Sequence, residues 1–253
     1  MTLPPLLLYP ILFVAGLIAG WIDSIAGGGG LVTIPAMLAL GFPPQAVLGT
    51  NKFQASFGSF TAASYYVHKN VVALSDAWLG VVWTLLGAAL GAWVVQQLPA
   101  TVLGGIIPFL LLGVAIYMIF SPPLGERGGK PRVRRLLFYI SFGLALGFYD
   151  GFFGPGVGSF WAIAFVVLLD FSLVKATGYT KVMNFTSNVV SLVLFLLGGQ
   201  VFFGAGAAMA AGQVLGARLG SSLVVRKGAH FIRPVFLAVV ILTTLKLLYD
   251  QLV

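Results

Sequence analysis

The chain has 253 residues, 59% of them hydrophobic and only 8% charged, with a formal charge of +8 and a mean hydropathy of +1.04. So little charge over such a length excludes a soluble domain, and long continuous apolar runs without alternation exclude a β-barrel. With no cysteine, disulfides, thiol chemistry and cysteine-type metal sites are excluded as well.

The class is therefore an all-α polytopic membrane protein. The start, Met1-Thr2-Leu3-Pro4-Pro5, has no positive charge, so the first apolar run is expected to be retained rather than cleaved. That run, 6–25, ends in Gly20-Trp21-Ile22-Asp23-Ser24-Ile25-Ala26-Gly27-Gly28-Gly29-Gly30. Consecutive glycines cost a helix about 1 kcal/mol each relative to alanine. Bare backbone cannot face lipid. The break is thus expected to be buried in protein or to line a polar cavity, and it carries a carboxylate. Run 31–41 is too short to span and is closed by Gly41-Phe42-Pro43-Pro44. Run 50–67 opens with Thr50-Asn51-Lys52 and ends at His68-Lys69-Asn70. Runs 75–97 and 101–120 complete the first half.

A polar loop, 121–135, carries Pro122, Pro123, Arg127, Lys130, Arg132, Arg134 and Arg135. Run 136–153 enters a second break, Gly147-Phe148-Tyr149-Asp150-Gly151-Phe152-Phe153-Gly154-Pro155-Gly156-Val157-Gly158. Run 157–169 is again short, and runs 180–197, 201–225 and 231–249 follow.

The halves match. Asp23 falls on Asp150 at an offset of 127, Gly49-Thr50-Asn51-Lys52 on Gly178-Tyr179-Thr180-Lys181 at 129, and Gly87 and Gly91 on Gly212 and Gly216 at 125. We read a duplication: a first repeat over 1–120, a basic cytoplasmic linker over 121–135 and a second repeat over 136–253. With the linker inside, eleven of the fourteen Lys and Arg residues are cytoplasmic; Lys52, Arg218 and Lys246 are not. That count requires each short run to form a hairpin with the run before it. The repeats are then inverted, each a broken helical hairpin plus three transmembrane helices, and the N-terminus is extracytoplasmic. The positive charge serves topology, so no nucleic-acid partner is expected.

Inverted repeats with broken helices are a pattern of secondary transporters. Each short helix begins after a glycine break, and its unpaired amides and partial positive charge form a ready anion site. Candidate substrate-binding residues in the first half are Gly27, Gly28, Gly29, Gly30, Thr50, Asn51, Lys52 and Gln54. In the second half they are Gly154, Gly156, Thr180, Lys181, Asn184 and Asn188. Asp23 and Asp150 are either structural, capping half-helices or pairing with lysines, or they couple transport to a proton or another ion. The lysines bind substrate or snorkel. Arg218 is expected as a salt-bridge or gate partner. Glycines at small-xxx-small spacing, such as Gly16/Gly20 and Gly143/Gly147/Gly151, are read as helix packing. His68 and His230 lack ligand spacing, so neither metal nor cofactor is expected.

The two break strings, with Pro35, Gly49-Thr50-Asn51-Lys52 and Gly178 through Asn188, resemble the TauE/SafE family of sulfite exporters and probable membrane transporters. The resemblance implies an inner-membrane permease for small anions such as sulfite, sulfoacetate or other organosulfonates. On the matching positions it implies roles for Asp23, Gly27 to Gly30, Thr50, Asn51, Lys52, Asp150, Gly154, Gly156 and Lys181. The second half departs from the pattern, with Gly154-Pro155-Gly156-Val157-Gly158 in place of four glycines and Thr180 in place of asparagine. The expected function is secondary transport of small anions around a midplane site. Alternatives are a passive anion channel and, lower, an intramembrane aspartyl protease. No hydrolase elbow, phosphate-binding loop or ATP motif is present, so an enzyme is not expected. A homo-oligomer is left open.

Overall fold

Proline and glycine decide where the helices start and stop. The computed structural model describes residues 4–120 and 131–227, and among these the chain is helical with short connections. The elements are α1 (Pro5–Ala26), α2 (Gly30–Ala39), α3 (Pro44–His68), α4 (Leu74–Gln96), α5 (Ala100–Phe120), α6 (Arg135–Phe152), α7 (Val157–Leu168), α8 (Leu173–Leu197) and α9 (Phe203–Lys227). Run 231–249 and residues Met1, Thr2, Leu3, Pro122, Pro123, Arg127, Lys130, His230, Arg233 and Lys246 lie outside the described residues.

Most boundaries fall within two residues of the sequence reading. Two do not: α3 starts at Pro44 instead of 50, and α8 at Leu173 instead of 180. Pro44 occupies the first helical position, where its missing N–H costs nothing. Ser172 caps α8 by accepting from the Lys175 amide at 3.4 Å. Lys52 and Lys181 are therefore each the ninth residue of a helix (44 to 52 and 173 to 181) and not near a helix start. Lys181, counted with the cytoplasmic residues in the sequence reading, lies buried inside α8.

Helices α1, α4, α8 and α9 are long and apolar enough to cross a membrane. Helices α2 and α7, with 10 and 12 residues, reach only about 15 and 18 Å. Both are enclosed by protein. Leu31, Ile34 and Met37 of α2 join an apolar cluster with Leu8, Leu12, Phe42, Leu103 and Phe195. Trp161 and Phe165 of α7 join another, with Phe138, Tyr139, Leu169, Phe171 and Tyr179. The clusters mark opposite ends. The start of α1 and the end of α2 meet in the first, and the start of α6 and the end of α7 meet in the second. Basic side chains gather at the second end. There Asp76 pairs with Arg135 at 3.6 Å, the Arg132 amide donates to the Leu168 carbonyl and Lys175 lies over the Phe171 ring.

The halves interlock. Helix α1 packs along α9, α4 along α6 and α3 against α8. Two of these seams have backbone against backbone. A Cβ on Gly16, Gly20, Gly212 or Gly216 would collide with Met209, Gln213, Phe13 or Leu17, and one on Gly87, Gly91, Gly147 or Gly151 with Leu144, Phe148, Thr84 or Ala88. The seams also correct the register of the repeat. Gly87 lies against Leu144 and Phe148, as Gly216 lies against Leu17 and Trp21. Gly87 therefore matches Gly216, at an offset of 129, and not Gly212 at 125. The glycine spacing alone misplaced this helix by one turn, because glycines four apart look alike at either register.

Candidate functional site

Both helix breaks turn on glycines with left-handed backbone, Gly27 (φ 71°) in the first and Gly154 (φ 101°) and Gly156 (φ 80°) in the second. A side chain is strained at such angles. The breaks touch each other. The Ser159 hydroxyl donates to the Gly27 carbonyl at 3.1 Å, and Gly27 lies so close to Gly158 that neither has room for a Cβ.

Around this junction, charged groups of one half meet those of the other. Lys52 Nζ donates to Asp150 Oδ1 at 2.6 Å and also to the Asp150 carbonyl. Lys181 Nζ donates to Asp23 Oδ2 at 3.1 Å and also to the Asp23 carbonyl. The repeat maps one arrangement onto the other, since it exchanges Asp23 with Asp150 and Lys52 with Lys181. Side-chain exposure is 1% and 4% for Lys52 and Asp150, and 0% and 22% for Lys181 and Asp23. In hydrocarbon an unpaired charge is costly, and each ammonium is held by a carboxylate and a carbonyl together.

The remaining carboxylate oxygens differ. Asp23 Oδ1 accepts from the amides of Gly28 and Gly29 at 3.1 and 3.4 Å, at the entrance to α2. That helix end is thereby compensated by the protein's own carboxylate. Asp150 Oδ2 instead accepts from the Ser187 hydroxyl.

Between the pairs lies a cavity of about 30 Å³, room for about one or two waters. Its lining is Asp23, Gly29, Gly30, Asn51, Ala55, Asp150, Gly154, Val157, Asn184, Asn188 and Gln213. Asn51 Oδ1 accepts from Thr33 at 2.6 Å and Gln54 at 2.8 Å, and Asn188 donates to Ser59 at 3.5 Å. Asn184 Oδ1 is buried with no hydrogen-bond partner among the described residues.

Of the residues singled out in the sequence, Asp23, Gly29, Gly30, Asn51, Asp150, Gly154, Asn184 and Asn188 line the cavity, and Lys52 and Lys181 hold its carboxylates. Gly27, Gly28 and Gly156 shape the turns. Gln54 supports Asn51 from behind. Thr50 is elsewhere, its hydroxyl accepting from the Phe202 amide at 3.0 Å, and Thr180 is buried outside the lining. Arg218 is exposed and stacks on the Tyr65 ring at 4.5 Å. Sequence reading missed Gln213, Ser187 and Thr33. Gln213 carried a signal: an uncharged polar residue inside a long apolar, glycine-rich run.

Among the described residues no group of acidic, histidine or cysteine side chains has the arrangement of a metal site. A family model described as sulfite exporter TauE/SafE matches residues 12–247. A probable membrane transporter protein of Haemophilus influenzae is 48% identical over 244 residues, 96% of each chain. The probable membrane transporter protein YfcA of Escherichia coli K12 is 49% identical over 98% of this chain and 91% of its own. The probable membrane transporter protein ORF9 of a Sinorhizobium species is 44% identical over 96% and 93%. No solved structure matches the chain.

Proposed function

The chain belongs to the sulfite exporter TauE/SafE family and is a multi-pass membrane transporter, not an enzyme; on that premise we propose that it is a secondary carrier of small oxyanions, sulfite foremost, by alternating access around the cavity between its two helix breaks. The observation that carries this reading is the cavity itself, a polar space flanked by two buried lysines whose charges are balanced across the halves. A carbonyl holds each ammonium in place even when its carboxylate moves away. An anion can then take the carboxylate's position without a new positive charge being buried.

Size favours a substrate of few atoms. A cavity of about 30 Å³ has to widen even for sulfite, and by more for sulfoacetate or other organosulfonates. Two ion pairs that can open separately favour a carrier over a channel. The cavity is bounded by the two ion pairs, with apolar clusters toward both ends. Each aspartate is bound to its own lysine, whereas an aspartyl protease needs two carboxylates sharing a proton.

In this scheme the repeats, 1–120 and 136–253, are inverted about a cytoplasmic linker, 121–135, in the inner membrane with the N-terminus outside. The opposite ends at which the α1–α2 and α6–α7 hairpins open support the inversion. The carboxylates, or a proton on one of them, supply coupling.

Sulfite flux into proteoliposomes tests the proposal. Saturable uptake, reduced at least about tenfold in Lys181→Met, is expected. Flux that rises without saturation would make the protein a channel. Folded protein without sulfite flux would remove the oxyanion reading.

A further inference from the structure

Helices α3 and α8 match residue for residue at the offset set by their first residues and their lysines. At several positions that match around the cavity the chemistry differs, and three of them, two on α3/α8 and one on α4/α9, bear on the ion pairs. Ser187, which holds Asp150, corresponds to Gly58, so Asp23 has no equivalent hydroxyl; Gln213 fills the space beside Gly58 instead. Asn184 corresponds to Ala55, and both line the cavity. In the register shown by the seams, Gln213 corresponds to Thr84, which turns toward Met183 Sδ at 3.4 Å and is not part of the lining.

The two carboxylates therefore differ in what they can do. Asp150 is 4% exposed and fixed by Lys52 and Ser187. Asp23 is 22% exposed, and it has a second set of donors in the Gly28 and Gly29 amides. If it leaves Lys181, its charge remains compensated at the N-terminus of α2. Asp150 has no such refuge.

We infer that the pair Lys181–Asp23 is the one that opens for substrate: the incoming oxyanion takes the Lys181 ammonium from Asp23 and accepts from the side-chain amides of Asn184 and Gln213, while Lys52, Asp150 and Ser187 stay closed as the fixed wall. This rests on the oxyanion reading above. No covalent bond changes. The carboxylate moves to amides it already touches, and the anion replaces it on the ammonium. Asn184 and Gln213 act only on the Lys181 side, so the two half-sites are not interchangeable.

Calorimetric titration of the full-length protein in nanodiscs with sodium sulfite, alongside thermal unfolding, tests this. Asp23→Asn removes the competitor for Lys181 and should lower the sulfite Kd at least about tenfold while slowing transport. Asp150→Asn should lower Tm and give no gain in affinity. Asn184→Ala removes the amide Nδ2 that lies with Lys181 Nζ beside Gly158, so it should raise the Kd at least about tenfold, with a smaller loss of Tm than Asp150→Asn. This variant decides the question if Asp23→Asn does not fold.

The inference is overturned if Asp150→Asn gains affinity and Asp23→Asn does not, if both gain equally, or if Asn184→Ala binds as wild type does. Absence of sulfite binding and flux in the wild type would be a different failure, that of the proposed function itself.

Discussion

The pairs Lys52–Asp150 and Lys181–Asp23 are the same device placed twice, and their surroundings differ by a few side chains. Both carboxylates border the cavity, but one is held by a serine and the other is more exposed and leans on two backbone amides. An internal duplication supplies two ion pairs of similar geometry. At matching positions Gly58 stands for Ser187 and Ala55 for Asn184, so in the proposed scheme one pair keeps a structural task and the other is free to exchange its partner. A buried pair is weak support for stability by itself, but breaking one by removing a partner is severe.

The largest expected effect tests the closed pair. Lys52→Ala leaves Asp150 buried without its cation and should cost about 3–5 kcal/mol. Lys181→Ala should cost clearly less, because Asp23 keeps the amides of Gly28 and Gly29. Thermal unfolding of both variants in detergent measures the gap, and equal losses would erase the distinction between the pairs. Next comes Ser187→Ala, which strips one charge-assisted hydrogen bond from Asp150. A loss of about 2 kcal/mol is expected from the same melts. The smallest effect calibrates the scale. Arg135 and Asp76 form a pair at 3.6 Å that is almost half exposed, so Arg135→Ala should cost under about 1 kcal/mol and respond to salt.

Much of this was legible in the sequence, for a physical reason. Glycine and proline act locally, so both breaks and most helix ends could be placed from residue type. The same reasoning failed at Pro43-Pro44, where a proline pair that stops one helix also starts the next. Pairing with lysines was one reading of Asp23 and Asp150. Which lysine meets which carboxylate depends on the halves interlocking, and that follows from glycine seams whose partners are distant in the chain. Gln213 is the instructive omission. It reaches the cavity only because α9 lies in the groove of α1, a contact no local pattern contains. Thr50 shows the converse, a residue in a conspicuous motif that is used to hold the Phe202 amide.

The central claim is that an oxyanion sits between the two breaks, on the Lys181 side. Selenite is a sulfite analogue whose selenium scatters X-rays anomalously, so a crystal structure with selenite bound locates the anion directly. The account predicts anomalous density within hydrogen-bonding distance of Lys181 Nζ and the Asn184 amide, with Asp23 turned to Gly28 and Gly29 and Lys52 still on Asp150. Density confined to the basic surface, or seated against Lys52 with Lys181–Asp23 intact, would contradict it.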